Sequence, residues 1–261
     1  MSFRKVDAGS GMNWLTEGIR TILANPVPFL VMGLILAVIN FIPILGGLIL
    51  TICGPALIGG VVYAAREQAE GSKAEIGHLF RAFQEPGKIG PMLLLCLPAI
   101  VGGAVLLVLV FVFGVGALIG GGLSAASGSA ASGLAGGIGG GIFVLLLIAL
   151  ALMFAIYALQ FFAVPRVMLD GVEPFAAMKE SLNACLANIG AFLVFGIVLF
   201  VSFIVLAIAL MLVPILGWLA LVTVASVVFA CAEYVAWRQV YGGAASSSVP
   251  PPAPDSSTIQ G

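Results

Sequence analysis

The chain has 261 residues, of which 62% are hydrophobic and only 8% charged, and its formal net charge at pH 7 is −1. Because a soluble globular domain carries about 25% charged residues, this composition excludes an ordinary water-soluble protein and indicates an all-α polytopic membrane protein. The near-zero net charge gives no basis for nucleic acid as a partner.

Six apolar segments are predicted to cross the bilayer as helices and to pair into three hairpins. They lie at about residues 26–43, 47–64, 91–112, 142–163, 189–213 and 217–239. The first segment is near the lower length limit for crossing, and the fifth is long enough to tilt.

An amphipathic helix is predicted to lie in the headgroup layer before each hairpin. In the first, Trp14 is an expected interfacial anchor. The second follows Ser72, which has capping-box spacing to Glu75, and the third opens at Pro174. The predicted apolar stripes of the first and third helices are Met12, Leu15, Ile19, Ile22 and Leu23, and Phe175, Met178, Leu182, Cys185 and Leu186.

Part of this plan is written twice in the chain. Residues 23–36 read LANPVPFLVMGLIL and residues 186–199 read LANIGAFLVFGIVL, and each copy leads to a PILG tetrapeptide, at Pro43–Gly46 and Pro214–Gly217. Proline breaks the helical hydrogen-bond ladder and glycine allows a turn or a close backbone approach, so each PILG is predicted to be a hairpin corner. The middle of the chain follows the same plan without matching in sequence.

The chain is therefore predicted to form a single transmembrane domain, residues 1–241, with an internal parallel repeat. Residues 114–141 are almost all Gly, Ala and Ser and are predicted to form a flexible loop, and residues 242–261 a disordered tail. The repeat units lie at about residues 10–66, 72–166 and 170–241.

The basic residues predict the orientation. All ten Lys and Arg residues fall on one side of the six-span arrangement. By the positive-inside rule, that side and both termini are expected to face the cytoplasm. The other side consists of two tight corners and the Gly/Ala/Ser loop and carries no charge.

Six polar side chains in or beside the spans are the candidate site residues, namely Glu233, Tyr63, Tyr234, Gln160, Asn25 and Asn188. Asn25 and Asn188 recur at equivalent places, and the role expected of each is to cap a membrane helix. Glu233 is the only acidic residue expected inside a span. It either serves a function or pairs with an arginine near the membrane boundary.

The sequence lacks the motifs of common catalytic and cofactor sites, including HExxH, the P-loop, GxSxG and Cys/His metal spacing. Its four cysteines lie in or beside apolar runs without a CxxC or His partner, which is typical of buried packing residues. No set of nucleophile, base and charge stabiliser can be assembled. The chain is therefore predicted not to be an enzyme, and no cofactor or metal is predicted.

Three stretches resemble a known family. RKVDAGSGMNWLTEGIRTILANPVPFLV, GPALIGGVVYAAREQAEG after the first corner, and SLNACLANIGAFLV together resemble an uncharacterised family of bacterial six-span inner-membrane proteins. That family is similar in layout to the membrane domain attached to some glycerophosphodiester phosphodiesterases. The resemblance covers about residues 3–241 and implies a bacterial cytoplasmic membrane location. It transfers no catalytic residue, because the phosphodiesterase chemistry belongs to a separate soluble domain.

Two functions agree with these features. The first is a non-enzymatic accessory, assembly or envelope-maintenance role, with membrane lipid and a membrane or cytoplasmic protein as partners. The alternative is passive or facilitated transport of a small apolar or amphiphilic molecule, with four of the candidate polar residues at the cytoplasmic mouth of its path. These four are Glu233, Tyr63, Tyr234 and Gln160. A lipid-phosphodiester enzyme would need metal-binding carboxylates, which the sequence does not offer.

Overall fold

The structure, a computed structural model, describes residues 3–126, 130–210 and 213–242, except for the side chains of residues 117–142 and 214. This described part of the chain is helical and contains no β-strand, which confirms the all-α class. Eleven α-helices and one 3₁₀ helix follow one another: α1 Ser10–Ala24, α2 Pro26–Phe41, α3 Leu45–Ala69, the 3₁₀ helix Ile76–Phe80, α4 Arg81–Gln84, α5 Ile89–Leu94, α6 Leu97–Ala126, α7 Ala130–Gln160, α8 Ala163–Asp170, α9 Pro174–Ala187, α10 Ile189–Leu210 and α11 Pro214–Val240.

Five segments of this part of the chain are long and apolar enough to cross a membrane. They are Leu45–Ala69, Ile89–Gly116, Phe143–Asp170, Ile189–Leu210 and Ile215–Val240. The pair α1 and α2 passes the same test but is bent by 109°, so it is either a broken span or a re-entrant segment. α2 alone has 16 residues, about 24 Å of helix, which is less than the hydrocarbon core of about 30 Å. The structure thus supports five or six spans where the sequence predicts six.

Trp14 is not the interfacial anchor that the sequence predicts. The side chain is fully buried, with 0% exposure. Its ring lies 6.0 Å from the ring of Phe161 and 6.0 Å from that of Phe195. A buried indole needs an acceptor for its N–H, and Trp14 Nε1 donates to Oε1 of Gln239 at 2.9 Å. Trp14 therefore anchors α1 to the bundle and not to lipid.

The buried faces of α1 and α9 also differ from the predicted stripes, because small side chains lie inward and several large apolar ones outward. The exposed members of the predicted stripes are Met12, Ile19, Leu23, Phe175 and Leu186. The small inward residues are Gly11, Gly18, Ala177, Ser181 and Ala184. Helices in a membrane associate through small residues that let backbones approach closely. Hydrophobicity alone does not identify the packed face in such a setting, since lipid accepts the large apolar side chains.

The middle of the chain is more broken than predicted. Its amphipathic segment is the 3₁₀ helix followed by the short α4 instead of one helix. The third span is interrupted between α5 and α6, where Pro98 lies four residues after Leu94. A proline ring clashes with the carbonyl four residues before it and donates no hydrogen bond, which accounts for the break. A second break at Phe161 and Phe162 separates α7 from α8.

The loop predicted at residues 114–141 is wrong over most of its length. α6 continues to Ala126 and α7 begins at Ala130, while residues 127–129 lie outside the described part. A helix persists although each Gly costs about 1 kcal/mol relative to Ala, because a helix satisfies every backbone group internally. The tail predicted at residues 242–261 lies outside the described residues from 243 onward.

Glycine allows a close backbone approach in both PILG segments, as predicted. A Cβ on Gly46 would collide with the carbonyl oxygen of Ile39, and one on Gly217 with that of Leu210. In each corner the glycine N–H instead bonds back to the chain, to the carbonyl four residues earlier, at 2.9 and 2.6 Å. These two bonds pair one backbone N–H in each segment, and lipid would leave such a group without a partner.

Candidate functional site

Three short elements pack against the long apolar helices. These are α1, the 3₁₀ helix with α4, and α9, and we call them the collar. α1 packs against α10 and α11, the 3₁₀ helix packs against α3, and α9 packs against α7 and α8. Arg66 and Arg238 lie in the last turns of α3 and α11, so the collar is the charged part of the molecule.

α1 is fastened to α11 at one close backbone contact and one ion pair. A Cβ on Gly18 would lie 2.8 Å from the backbone nitrogen of Ala232, so only glycine allows this approach. At the preceding position, Glu17 Oε2 accepts a hydrogen bond of 2.8 Å from Nη2 of Arg238. Glu17 therefore links α1 to α11.

α9 is fastened to α7 and α8 by polar contacts. The Ser181 hydroxyl donates to the carbonyl oxygen of Ala158 at 2.7 Å and accepts from the N–H of Phe162 at 2.9 Å. Glu180 Oε2 accepts from Nη2 of Arg166 at 2.8 Å. Sequence reasoning missed Ser181 and offered Arg166 only as a partner of Glu233. The break between α7 and α8, which frees the backbone groups that Ser181 binds, was not visible in an apolar run.

The 3₁₀ helix is fastened to α3 by a close contact and an aromatic one. A Cβ on Gly60 would collide with the carbonyl oxygen of Leu79. Three residues after Gly60, the ring of Tyr63 contacts the ring of His78 edge-on, and the two ring centroids lie 5.3 Å apart. All three parts of the collar are thus held to the spans by short, specific contacts.

Asn25 and Asn188 bind distant segments of the chain instead of forming the predicted caps. No side-chain cap is formed at the start of α2, where Asn25 donates through Nδ2 to the carbonyl oxygen of Ala74 at 3.2 Å. Asn188 Oδ1 accepts from the N–H of Val6 at 2.7 Å, and its Nδ2 donates to the carbonyl oxygen of Arg4 at 3.4 Å. Each asparagine therefore holds the segment that leads into another collar element.

Lys88 has the corresponding place in the middle of the chain, directly before α5. Its Nζ donates to the carbonyl oxygen of Met168 at 2.8 Å and to that of Val167 at 3.4 Å. These carbonyls belong to the end of α8, which leads into α9. Sequence reasoning missed Lys88 because it is not an asparagine like Asn25 and Asn188. The only feature that could have identified it is its position directly before the third predicted span.

The two asparagines allow a reciprocal test. We expect Asn188→Ala to speed tryptic cleavage after Arg4 and Lys5 by about 3- to 10-fold, since each lost hydrogen bond is worth about 0.5–1.5 kcal/mol and cleavage follows the open population. We expect Asn25→Ala to speed cleavage after Lys73 instead. Each variant is the control for the other, measured by mass spectrometry of timed digests of the folded protein. Equal acceleration at both places in either variant would contradict the separate roles.

Glu233 is the most deeply buried of the candidate polar side chains. It is 1% exposed, and its Oε2 has no hydrogen-bond partner among the described residues. The arginines that the sequence offers as partners pair with other acids: Arg66 with Glu70, Arg166 with Glu180 and Arg238 with Glu17. The expected pairing with an arginine is therefore wrong, and a role for this carboxyl in function stays a prediction.

The remaining polar candidates serve local packing. Gln160 Nε2 donates at 2.7 Å to the carbonyl oxygen of Leu95, one of the groups freed by the break between α5 and α6. Tyr234 is buried, with the guanidinium carbon of Arg238 5.6 Å from its ring centroid. Tyr63 lies under the 3₁₀ helix. Gln160, Tyr234 and Tyr63 thus each contact other parts of the chain, while Oε2 of Glu233 has no hydrogen-bond partner among the described residues.

An apolar cavity of about 230 Å³ lies between α6 and α7. Gly102 of α6 and Ile156 of α7 form its wall, and Tyr157 and Gln160 lie at its polar end. Its lining does not include Glu233, Tyr63 or Tyr234. The cavity has the chemistry of a lipid-facing groove.

The cysteines have the environment of packing residues, as predicted. Cys96, Cys185 and Cys231 are buried and Cys53 is partly buried. In α9, burial raises the pKa of the Cys185 thiol to about 12, so this thiol stays protonated and unreactive near neutral pH. In the part of the chain that the structure describes, no three His, Cys, Asp or Glu side chains are grouped to hold a metal ion.

Comparison with known proteins yields no relative. No family model, no curated protein and no solved structure matches the chain.

Proposed function

We propose that the protein is a non-enzymatic multi-pass membrane protein with an accessory, assembly or envelope-maintenance role, which it performs through the collar. In this proposal it lies in a bacterial cytoplasmic membrane, as the family resemblance implies, with six spans and with the collar and both termini in the cytoplasm. The position of all ten Lys and Arg residues supports this orientation. Its partners are membrane lipid and a membrane or cytoplasmic protein.

The proposal includes an internal repeat, and equivalent contacts of α1 and α9 support it. Counted from Asn25 and Asn188, five of the six buried positions of each helix are the same. Glu17 and Glu180 also stand at the same position, eight residues before the asparagine, and each accepts a hydrogen bond of 2.8 Å from an arginine at the end of a span. A duplicated unit explains this agreement in geometry as well as the agreement in sequence.

The ties between units support a closed ring of three hairpins. Asn25 of the first unit binds the segment before the 3₁₀ helix of the second. Lys88 of the second unit binds the end of α8, which leads into the third. Asn188 of the third unit binds the N-terminal segment of the first. Each unit thus holds the entry to the next, and the last holds the entry to the first.

One observation carries the proposed function: the fixed collar presents unpaired cations at separate places. Arg20, Lys73 and Lys179 are exposed, one in each proposed unit, and none forms an ion pair within the described ranges. Positive charges on a rigid surface beside a membrane attract acidic lipids and acidic protein surfaces. The collar therefore has the chemistry of a docking platform.

Site-specific photo-cross-linking in cells tests this role. A photoreactive residue at Ser72 or at Glu173, both exposed on the collar, is expected to give a discrete protein adduct. The control position is Ile44 at the first corner, which is 93% exposed and apolar. It is expected to give lipid adducts alone. Lys73→Glu with Lys179→Glu is expected to remove the protein adduct, since the charge that attracts the partner is reversed. Lipid adducts alone at all three positions, with rapid solute flux in liposomes, would contradict the proposal.

The second candidate is passive or facilitated transport of a small apolar or amphiphilic molecule. The observation in its favour is Glu233, a carboxyl buried within the bundle, since intramembrane ionisable residues commonly mark transport pathways. Flux through liposomes that changes in Glu233→Gln, at unchanged folded yield, would favour this candidate over the collar. Unchanged flux would remove Glu233 from a transport role.

A further inference from the structure

Arg66 and Arg81 lie farther from their glutamate partners than Arg166 and Arg238 do. Arg166 and Arg238 each donate a hydrogen bond of 2.8 Å to a glutamate. Arg66 and Arg81 approach glutamates only at 3.2 and 3.3 Å, and the buried Nε of each has no hydrogen-bond partner in the described part of the chain. Their donors are therefore held loosely, although ionised donors form the strongest hydrogen bonds.

Arg66 and Arg81 converge on one aromatic ring from two different elements. Their guanidinium carbons lie 5.5 and 5.1 Å from the ring centroid of Tyr63, which His78 supports from the side. The two side chains remain 30% and 41% exposed. Two guanidinium groups at one ring repel each other, and an anion that both can bind removes this repulsion.

Acidic side chains surround this arginine pair and restrict the charge of its ligand. Glu67 and Glu70 lie 3.9 and 3.2 Å from Arg66, and Glu85 lies 3.3 Å from Arg81. A purely anionic ligand would be repelled by these carboxylates. A ligand that joins a phosphate to an ammonium group would suit both kinds of charge. The guanidinium groups would bind its phosphate, and the carboxylates would attract its ammonium group.

Exposed apolar side chains lie on the segment that carries Arg81, which consists of the 3₁₀ helix and α4. Ile76, Phe80 and Phe83 are exposed, and the rings of Phe80 and Phe83 lie 6.4 Å apart. The segment packs on the last turns of α3, a helix long and apolar enough to cross the membrane. Aromatic side chains at such a boundary sit at headgroup level with their rings toward the acyl chains.

We propose that Arg66 and Arg81 bind the phosphate of a phospholipid whose headgroup also carries an amine, namely phosphoethanolamine. Glu67, Glu70 and Glu85 surround the ammonium group, and the exposed aromatic pair faces the acyl chains. This inference deepens the proposed function, because it names the lipid that the collar binds. It depends on contacts within α3, the 3₁₀ helix and α4 and not on the protein partner.

Lipid binding to the purified full-length chain tests the site. In native mass spectrometry from detergent, we expect phosphatidylethanolamine to bind at least about fivefold more tightly than phosphatidylglycerol with the same acyl chains, about 1 kcal/mol at 1.4 kcal/mol per tenfold. This comparison needs no variant. Preference for phosphatidylglycerol, or equal binding of the two lipids, would overturn the proposal.

A charge-matched pair of double variants tests which residues bind the lipid. Arg66→Gln with Arg81→Gln is expected to weaken phosphatidylethanolamine binding about tenfold, because both forks are lost. The control, Arg4→Gln with Lys5→Gln, removes the same charge from exposed positions of the N-terminal segment and is expected to change binding less than about twofold. Equal weakening in both variants would show attraction by net charge alone and would overturn the site.

A soluble competitor distinguishes a lipid from a free compound. O-phosphoethanolamine carries the same phosphate and amine without acyl chains, and we expect it to displace the lipid only at much higher concentration. Binding as tight as that of the lipid, with the same dependence on Arg66 and Arg81, would overturn the lipid as the source. Loss of the lipid preference while the adducts at Ser72 or Glu173 persist would reject this site and leave the docking role intact.

Discussion

Replacing Arg166 with Gln is expected to lower the free energy of unfolding by about 3 kcal/mol, the lower end of the range for removing one partner of a buried ion pair. Arg166 is 4% exposed and binds Asp170 at 2.6 Å and Glu180 at 2.8 Å. Without the guanidinium, two carboxylates that are 27% and 28% exposed are left facing each other. We expect the lower end of the range because water still reaches both acids. Denaturant titration in one defined detergent measures the change.

Arg238→Gln is the matched control for this experiment. Arg238 forms an ion pair of the same length, 2.8 Å, with Glu17, but the two side chains are 47% and 39% exposed. Exposed pairs contribute about 0–1 kcal/mol, so this variant is expected to stay near the parent protein. If both variants lose the same stability, burial of Arg166 does not determine its contribution.

Gly60→Ala is expected to destabilise the protein by about 1–3 kcal/mol, the usual cost of overpacking. The added methyl group would collide with the carbonyl oxygen of Leu79, which is backbone and cannot rotate away. The 3₁₀ helix would have to move off α3, and the ring contact between Tyr63 and His78 would be disturbed. Thermal unfolding in detergent measures the loss of stability, and phosphatidylethanolamine binding is expected to weaken with it.

Gly54→Ala provides the comparison within the same helix. A Cβ at Gly54 meets no atom within 4 Å, and Ala is favoured over Gly in a helix by about 1 kcal/mol. This variant is therefore expected to be neutral or slightly stabilising. A neutral Gly60→Ala, or a Gly54→Ala as damaging as Gly60→Ala, would contradict the close packing of the 3₁₀ helix on α3.

The sequence predicted the class of the fold and the corners because both depend on local chemistry. An apolar run longer than the bilayer is thick must be a helix in lipid, since lipid offers no hydrogen bonds to the backbone. The glycine of PILG predicts a close backbone approach, and Gly46 and Gly217 both lie against a backbone carbonyl of the preceding helix. These inferences need no knowledge of which helix packs against which.

The packed faces of the collar could not be predicted in this way. In water, the large apolar side chains of an amphipathic helix identify its buried face. Beside lipid, they are stable on the outside, and the packed face is the one with small residues. Met12 and Phe175 therefore point outward, while Gly18 and Ser181 contact the spans.

The polar residues were predicted as a set, but not their partners. The recurrence of Asn25 and Asn188 marked them as important, and local chemistry predicted caps. Their bonds go to segments 49 and 182 residues away in the chain, at Ala74 and Val6. Lys88 was not expected to be part of this arrangement at all. Partners so far apart depend on the three-dimensional arrangement of the helices.

By itself, the amino-acid sequence determined an all-helical membrane protein with glycine-dependent corners, because hydrophobicity, helix-breaking and turn formation act over a few neighbouring residues. Only the tertiary structure decided that Trp14 is buried, that Oε2 of Glu233 has no hydrogen-bond partner among the described residues, and that Arg66 and Arg81 both lie near the ring of one tyrosine. These features arise where helices distant in the chain touch. Their energies depend on distances of 3–5 Å between side chains, and no local pattern encodes those distances.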